Sequence, residues 1–147
     1  MAKYKNSLKL IMPSCSANEG FARVAVAAFV AQLDPTIEEL NDIKTAVSEA
    51  VTNCIVHAYK ENIGNIYITV NITTDNVVSI RIRDTGCGIE DIAKARQPLF
   101  TTAGGERAGL GFAVMESFMD SLKVSSRVGK GTSIIMKKSI LSRPADE

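Results

Sequence analysis

Apolar and polar residues alternate in several short runs of the chain, which is the pattern of a half-buried β-strand. The clearest runs are residues 66–72 and 78–82, where isoleucine or valine takes every second position. The residues between them, TTDN, favour a turn, so we expect an antiparallel hairpin. Residues 6–12 predict a first strand that stops at Pro13, and LKVSS and TSIIMKK, joined by VGKG, predict the last two strands.

Three other segments have apolar residues three and four positions apart, which is the spacing of an amphipathic helix. They cover residues 17–33, 36–59 and 110–119, and a short helical stretch is expected before the third. Ser16 with Glu19 and Thr36 with Glu39 have the spacing of a capping box. The predicted core faces of the first two helices consist of Ala22, Val26, Phe29, Val30 and Leu33, and of Ile43, Val47, Ala50, Val51, Cys54 and Ala58.

The resulting order, β-α-α-β-β-α-β-β, predicts an α+β fold. We expect a two-layer α/β sandwich in which the helices cover one face of a mixed, mostly antiparallel sheet. Residues 1–142 are predicted to form a single domain, and residues 143–147 a loose C-terminal tail.

The composition is that of a globular protein, with 46% hydrophobic and 22% charged residues in 147 positions. The net charge of +1 gives no strong field for nucleic acid or a membrane, so neither is expected as a partner. The three cysteines are odd in number and lack CxxC spacing, which disfavours a disulfide framework or a zinc site. The first ten residues lack a signal-peptide core, and no apolar run approaches the roughly 18 residues of a membrane span. A cytoplasmic location is therefore expected.

One helix carries polar residues that face away from its apolar stripe. Glu49, Asn53 and His57 are each four positions apart, so they share one side of the second helix. A solvated face would also explain the Glu/Asn pair, and packing near the helix end would explain the only histidine. No second histidine or suitably spaced cysteine makes His57 a metal ligand.

The DTGCG segment follows the second strand of the hairpin. Asp84 stands where the strand ends, and glycines at 86 and 88 would let the backbone approach a ligand without Cβ clashes. A carboxylate in this position could accept a hydrogen bond from a ligand amine, such as that of adenine, worth roughly 1.5–3 kcal/mol. A tight structural loop is the alternative interpretation.

A glycine-rich segment, GGERAGLG, precedes the predicted third helix, which we expect to begin near its last glycine. The free N–H groups at a helix start bind anions, and an arginine in a mobile loop could clamp a phosphate. A flexible surface loop is the alternative. The segment contains Gly104, Gly105, Glu106, Arg107, Gly109 and Gly111. Neither GxGxxG after a strand nor a P-loop is present in the chain.

The order of these motifs is more informative than any one of them. E-x-x-x-N on a helix, DxGxG after a hairpin, a glycine-rich lid and GxGT between the last strands resemble the ATP-binding fold of gyrase, heat-shock chaperones, histidine kinases and mismatch-repair ATPases. FARVAVAAFVAQLDPT, IKTAVSEAVTNCIVHAY, ARQPLFTT and ERAGLGFAVMESFMD narrow the resemblance to the sporulation anti-sigma factors, which are serine kinases that restrain a sigma factor. The lid departs from that pattern, because TTAGGERAG has two glycines where charged residues or proline are usual.

The resemblance implies an ATP- and Mg²⁺-dependent kinase that binds a sporulation sigma factor and phosphorylates a serine of an anti-anti-sigma factor. It also implies a role for each matching residue. At the phosphate end, Glu49 matches the general base, Asn53 matches the magnesium ligand, Arg107 matches the catalytic lid arginine, and Gly109 and Gly111 match the phosphate-facing glycines. At the adenine end, Asp84 matches the residue that binds the adenine amine, and Gly86 and Gly88 would shape the pocket wall beside it. Thr132 matches the threonine near adenine.

The resemblance also places the first helix at a protein–protein surface, where Arg23 interrupts a face of small apolar residues. Arg23 is therefore a candidate partner-binding residue, although an ordinary exposed arginine would fit as well. The unpaired edge of the first strand, together with the resemblance, favours a homodimer.

Three other functions fit the sequence less well. A histidine-kinase catalytic domain needs a phosphoacceptor histidine on a separate helix, whereas His57 lies within the nucleotide-site helix. A gyrase- or chaperone-type ATPase couples to a transducer domain, for which 147 residues leave no room. A sigma-binding module without catalysis would not need a base at Glu49.

Overall fold

The computed structural model describes residues 4–96 and 106–141, and for residues 106–110 the backbone alone. The elements follow the predicted order. They are β1 (Tyr4–Pro13), α1 (Ala17–Val30), a 3₁₀ turn (Ala31–Leu33), α2 (Ile37–Asn53), a π-helical turn (Cys54–Ala58), β2 (Asn65–Thr73), β3 (Val77–Asp84), α3 (Ile92–Ala95), α4 (Glu106–Phe118), β4 (Ser121–Arg127) and β5 (Gly131–Ser139). In the described part of the chain, no helix is both long and apolar enough to cross a membrane.

The five strands form one sheet in the order β1-β2-β3-β5-β4. All four strand pairings are antiparallel, so the expected mixed sheet is antiparallel throughout the described residues. The predicted hairpin is confirmed, with Ile68 opposite Ile82. β1 is an edge strand, as its sequence predicted.

Helices α1, α2 and α4 lie on one face of the sheet, which confirms the predicted two-layer α+β sandwich. Val26, Val47 and Met115 are fully buried, one from each helix, among the inward isoleucines of β2 and β3. Burying each such side chain stabilises the fold by about 1.5–3 kcal/mol.

Two residues of the predicted core face on α1 lie nearer the surface than expected. Phe29 and Leu33 are only partly buried, whereas Ala27 is buried. Leu33 departs from the helical face because α1 ends at Val30, after which the 3₁₀ turn and a left-handed Asp34 (φ 54°) interrupt the periodicity, whereas nothing in the structure explains Phe29.

The two predicted capping boxes have different outcomes. At the start of α2, the Glu39 amide donates to Thr36 Oγ1 (3.0 Å) and the Thr36 amide donates to Glu39 Oε1 (2.8 Å). The capping box at Ser16 is wrong, because Ser16 is itself helical (φ −58°, ψ −32°) and its side chain makes no cap. Glu19 instead accepts from Ser48 Oγ at 2.7 Å and so ties α1 to α2.

Helix α2 widens into the π-helical turn where it approaches the loop after β3. The Tyr59 amide donates to the Cys54 carbonyl five residues earlier (3.1 Å), which closes the wide turn. The Cys87 amide then donates to the Ala58 carbonyl at 3.1 Å. The turn therefore fixes the DTGCG loop against the end of α2, and π-turns of this kind are frequent at functional sites.

Helix α4 begins at Glu106, several residues before the predicted start. Gly111 consequently lies inside the helix, and the expectation that it marks a helix N-terminus is wrong. Most of the first turn, Glu106, Arg107, Ala108 and Leu110, consists of good helix formers, and buried Phe112 and Met115 anchor the helix on the core.

Candidate nucleotide site

A cavity of about 210 Å³ opens between the end of α2, the loop after β3 and helix α4. Its walls are mainly apolar, with a few polar groups that converge on the interior, which is the usual character of a small-molecule site. The lining residues are Asn53, Cys54, His57, Ala58, Lys60, Asp84, Cys87, Gly88, Ile89, Ala95, Phe112, Thr132 and Ile134.

Asp84 is the buried carboxylate of this cavity, with 6% of its surface exposed. Its Oδ1 accepts from the amides of Gly86 (2.9 Å) and Thr132 (3.2 Å), and Cys54 Sγ lies 3.6 Å from Oδ2 as a donor. Because each carboxylate oxygen has two acceptor positions, these contacts leave one position on Oδ2 for a ligand donor.

The Cys54 thiol is part of this arrangement. Burial raises the pKa of the thiol well above its usual range, and the adjacent Asp84 charge and hydrogen bond raise it further. The thiol therefore stays protonated and can donate to Asp84 Oδ2. The sequence predicted Cys54 only as a core residue, because the two partners are 30 positions apart and no local pattern links them.

The glycines of the DTGCG loop make close contacts within the protein itself. A Cβ on Gly86 would lie 2.4 Å from the Ala58 carbonyl oxygen, and one on Gly88 would lie 2.3 Å from the Arg127 carbonyl oxygen. Gly88 also has a φ of +79°, which disfavours any side chain. These positions therefore need glycine because the loop packs on protein backbone. Gly88 also lines the cavity.

Thr132 borders the cavity beside Asp84, as predicted, and sequence interpretation missed its neighbour Ser126. The two hydroxyl oxygens are 2.8 Å apart. Ser126 Oγ also accepts from the Ile89 amide (2.7 Å) and donates to the Gly131 carbonyl (3.0 Å). Ser126 thereby joins β4 to both loops around Asp84. A lone serine in a strand gives no signal of this role.

Asn53 and Glu49 meet at Gly111 of α4. A Cβ on Gly111 would lie 3.3 Å from Asn53 Oδ1 and 3.4 Å from Glu49 Oε1, so the glycine lets the helix approach both side chains. Asn53 Nδ2 is buried and has no hydrogen-bond partner among the residues that the structure describes. An orphaned buried amide costs about 1–3 kcal/mol, which makes it a position for a ligand acceptor.

Glu49 also lines a second, shallower cavity of about 300 Å³ on the surface of α1 and α2. Its other lining residues are Arg23, Asn41, Lys44, Thr45 and Ser48. Arg23 is 41% exposed and pairs with Glu19 at 3.2 Å. Glu49 therefore lines the surface cavity that contains Arg23, and at Gly111 it lies close to Asn53, which lines the interior cavity.

Some predicted site residues lie wholly or partly outside the described part of the chain. The side chain of Arg107 and the surroundings of Gly109 are outside the described residues, although the backbone of both belongs to α4. Gly104 and Gly105 are outside as well. Among the described residues, no group of three or more His, Cys, Asp or Glu side chains could hold a metal ion.

A family profile for the histidine kinase-like ATPase domain matches residues 13–138. Two solved structures share the fold at low identity. The RsbU and RsbW domains of a Mycobacterium tuberculosis protein give a TM-score of 0.70 at 19% identity, covering 96% of this chain and 34% of theirs. The histidine kinase domain of an Erythrobacter litoralis blue-light activated kinase gives 0.56 at 18% identity, covering 83% of this chain and 61% of that one.

Relatives in other bacteria are much closer in sequence. The anti-sigma F factor of Caldanaerobacter subterraneus is 60% identical over 94% of this chain and 96% of its own. That of Priestia megaterium is 50% identical over 96% of this chain and 97% of its own. This protein therefore belongs to the anti-sigma F factors, within the histidine kinase-like ATPase domain family.

Proposed function

We propose that this protein is an anti-sigma factor and an ATP-dependent serine protein kinase. It binds a sporulation sigma factor and phosphorylates a serine of an anti-anti-sigma factor. The observation that carries the proposal is the position of Glu49, which borders the surface cavity and meets Asn53 of the interior cavity at Gly111.

The interior cavity suits ATP. Asp84 has an acceptor position for the adenine amine, in a pocket whose other walls are largely apolar, and Thr132 lies beside it. At the other end, the orphaned Asn53 amide is a donor suited to a phosphate oxygen. Arg107, Gly109 and Gly111 on α4 would complete the phosphate end.

Asn53 would hold Mg²⁺ through its side-chain oxygen. Magnesium usually binds one or two protein oxygens and takes its other ligands from phosphates and water, so a three-residue cluster is not required. Bound there, the ion would neutralise phosphate charge. The amide can turn either its oxygen or its nitrogen towards the ligand.

Glu49 would act as the general base. In the transfer step, the proton of the substrate serine moves to the Glu49 carboxylate while the serine oxygen forms a bond to the γ-phosphorus. The bond between that phosphorus and the β,γ-bridging oxygen breaks, and ADP leaves. General-base catalysis of this kind is typically worth 10²–10⁴ in rate.

Protein partners would reach the site through the surface cavity. Arg23 and Lys44 give it two cations, and Glu49 stands at its inner edge. A sigma factor and an anti-anti-sigma factor would therefore use the α1–α2 surface that holds Arg23. We further propose a cytoplasmic homodimer, for which the edge strand β1 offers unpaired backbone groups.

The testing experiment is incubation of the protein with labelled ATP, Mg²⁺ and a candidate antagonist, followed by mapping of the modified residue. Phosphate on a single antagonist serine is the expected result. A matched reaction with His57→Gln separates the proposal from histidine autophosphorylation, because serine transfer should continue in that variant.

A binding-only protein is the second candidate, favoured by the separation of the Arg23 surface from the interior cavity. If no antagonist residue carries phosphate while the sigma factor still binds, this second candidate replaces the kinase.

A further inference from the structure

The face of the sheet opposite the helices has an unusual charge distribution. The side chains that point to this face include six cations and no acid, as the register of the five strands shows. The cations are Lys9 on β1, Arg81 and Arg83 on β3, Lys123 and Arg127 on β4, and Lys137 on β5. We call these six residues the basic face.

The basic face accounts for a large part of the charge of the chain. The sequence has 17 lysines and arginines and 16 acidic residues, so the other residues carry 11 cations against 16 acids and are net negative. A net charge of +1 hides this asymmetry. The expectation that no nucleic acid binds rested on the net charge alone.

Intramolecular ion pairs do not neutralise the basic face. Among the described residues, none of its six cations forms a salt bridge. Arg81 donates to Ser133 Oγ at 3.0 Å, and the Arg83 guanidinium lies 4.1 Å from the centre of the Tyr67 ring. Both contacts hold the side chains in place and leave their charges uncompensated.

The cations extend across the whole width of the sheet. Lys9, Arg81 and Lys123 lie in one register row, separated by Thr69 and Ile135 on the strands between them. Adjacent strands are about 4.8 Å apart, so successive cations of the row stand on strands roughly 10 Å apart. Arg83 and Lys137 occupy the rows on either side.

The remaining outward side chains are mostly small and polar. They include Ser7, Asn71, Ser79, Ser121, Ser125 and Ser133. Arginine and tyrosine suit both kinds of partner, but centres of protein–protein interfaces are depleted of lysine and serine, whereas nucleic-acid phosphates are contacted by arginine, lysine, serine, asparagine and tyrosine. The composition therefore favours a phosphate backbone over an acidic protein.

We propose that the basic face binds single-stranded nucleic acid through its phosphate backbone. An open sheet face with the stacked Tyr67–Arg83 pair can accommodate an unpaired strand, because a base can stack on an aromatic or guanidinium plane. The contacts are to phosphates, so no strong sequence preference is expected. The proposal is independent of the kinase activity.

Fluorescence anisotropy with a labelled oligo-dT strand tests the proposal. Single-strand binding loses affinity with a slope of about −0.7 in log K against log salt for each phosphate contact. With six cations the slope should therefore approach about −4 at most. The double variant Arg81→Glu, Lys123→Glu should weaken binding by about tenfold or more and make the slope shallower.

Three controls make the result decisive. Lys94→Glu on α3 changes charge without touching the basic face and should bind as the wild type does. Excess adenosine, which has no phosphates to compete for the cations, should not displace the strand, since displacement would place the strand in the interior cavity and overturn the proposal. Circular dichroism checks folding, and Arg81→Gln with Lys123→Gln replaces the double variant if it fails to fold.

Other outcomes also overturn the proposal. They are the absence of binding at low salt, and an equal loss of binding in the Lys94→Glu variant. Polyglutamate that binds as tightly as oligo-dT, with the same dependence on Arg81 and Lys123, would instead assign the face to an acidic protein.

Discussion

The two ends of the interior cavity differ in how their polar groups are satisfied. At the Asp84 end, two backbone amides and a thiol hold the carboxylate, and the adjoining loop packs on backbone at Gly86. At the Asn53 end, the amide nitrogen is buried and finds no hydrogen-bond partner in the described part of the chain. The Asp84 end is thus preorganised before a ligand arrives, whereas the Asn53 end has a polar group that a ligand would satisfy.

Because of this difference, we expect the Asp84 end to recognise the base of the nucleotide and the Asn53 end to take part in phosphate transfer. Rigid donors fix the direction of Asp84, which suits discrimination between bases. The Glu49–Asn53 end joins α2 to a helix whose start follows the undescribed segment 97–105. Substitutions at the two ends should therefore change different measurements.

The largest expected effect is at Glu49. Glu49→Gln should lower single-turnover phosphate transfer by about 10²–10⁴, because the amide cannot accept the serine proton. ATP affinity should stay near the wild-type value. Glu38→Gln, an exposed carboxylate at the start of the same helix, is the matched control. A wild-type transfer rate in Glu49→Gln would exclude Glu49 as the base.

The next effect is at Asp84. Asp84→Asn removes the charge that accepts the adenine amine, and a charged hydrogen bond is worth roughly 1.5–3 kcal/mol, or about 10–150-fold in affinity. ATP and ADP should be weakened equally by calorimetry, because both carry adenine. Inosine triphosphate, which lacks the amine, should lose less than ATP. If ATP alone were weakened, Asp84 would belong to the phosphate end.

Much of the fold could be predicted from local sequence patterns, but the candidate site could be predicted only in part. The hairpin was predictable because isoleucine and valine alternate in both strands, and the α2 cap because Thr36 and Glu39 form a local pair. The start of α4 was not, because glycine propensity argued for a loop while the burial of Phe112 favoured a helix.

The function of individual side chains depended on distant partners. Gly86 and Gly88 were singled out as positions of close backbone approach, but their contacts with the Ala58 and Arg127 carbonyls exist only in the folded chain. Ser126 and Cys54 were missed as site residues for the same reason. No periodicity in sequence indicates a contact 30 positions away.

A smaller effect is expected at Asn53, where substitution should lower the affinity for ATP but should not lower the stability of the nucleotide-free protein. Asn53→Ala should weaken Mg²⁺-dependent ATP binding by about tenfold, because a ligand to the ion and phosphates is lost. Without nucleotide, the same variant should be as stable as the wild type or more stable by about 1 kcal/mol, since the orphaned amide is removed. Urea unfolding with and without Mg-ATP measures both. A large loss of stability without nucleotide would show that the amide is satisfied.

The smallest expected effect is on the pH dependence of the free energy of unfolding, and it tests the role of Cys54 at the preorganised Asp84 end. Burial and Asp84 raise the pKa of the Cys54 thiol in the folded protein. In the unfolded chain the thiol ionises near its ordinary pKa of about 8.5, so ionisation there favours unfolding. The stability associated with this thiol is therefore fully present below that pH and is lost as pH rises towards the folded-state pKa, with a slope of at most about 1.4 kcal/mol per pH unit.

Cys54→Ala should remove this alkaline loss from the free energy of unfolding, measured by urea titration across the alkaline range. The variant should be less stable near neutral pH, because the thiol volume is lost and Asp84 Oδ2 loses a donor. Val47→Ala, which also shortens a buried side chain of α2, is the matched control and should keep the wild-type slope. An unchanged slope in Cys54→Ala would mean that the thiol is not the neutral donor to Asp84.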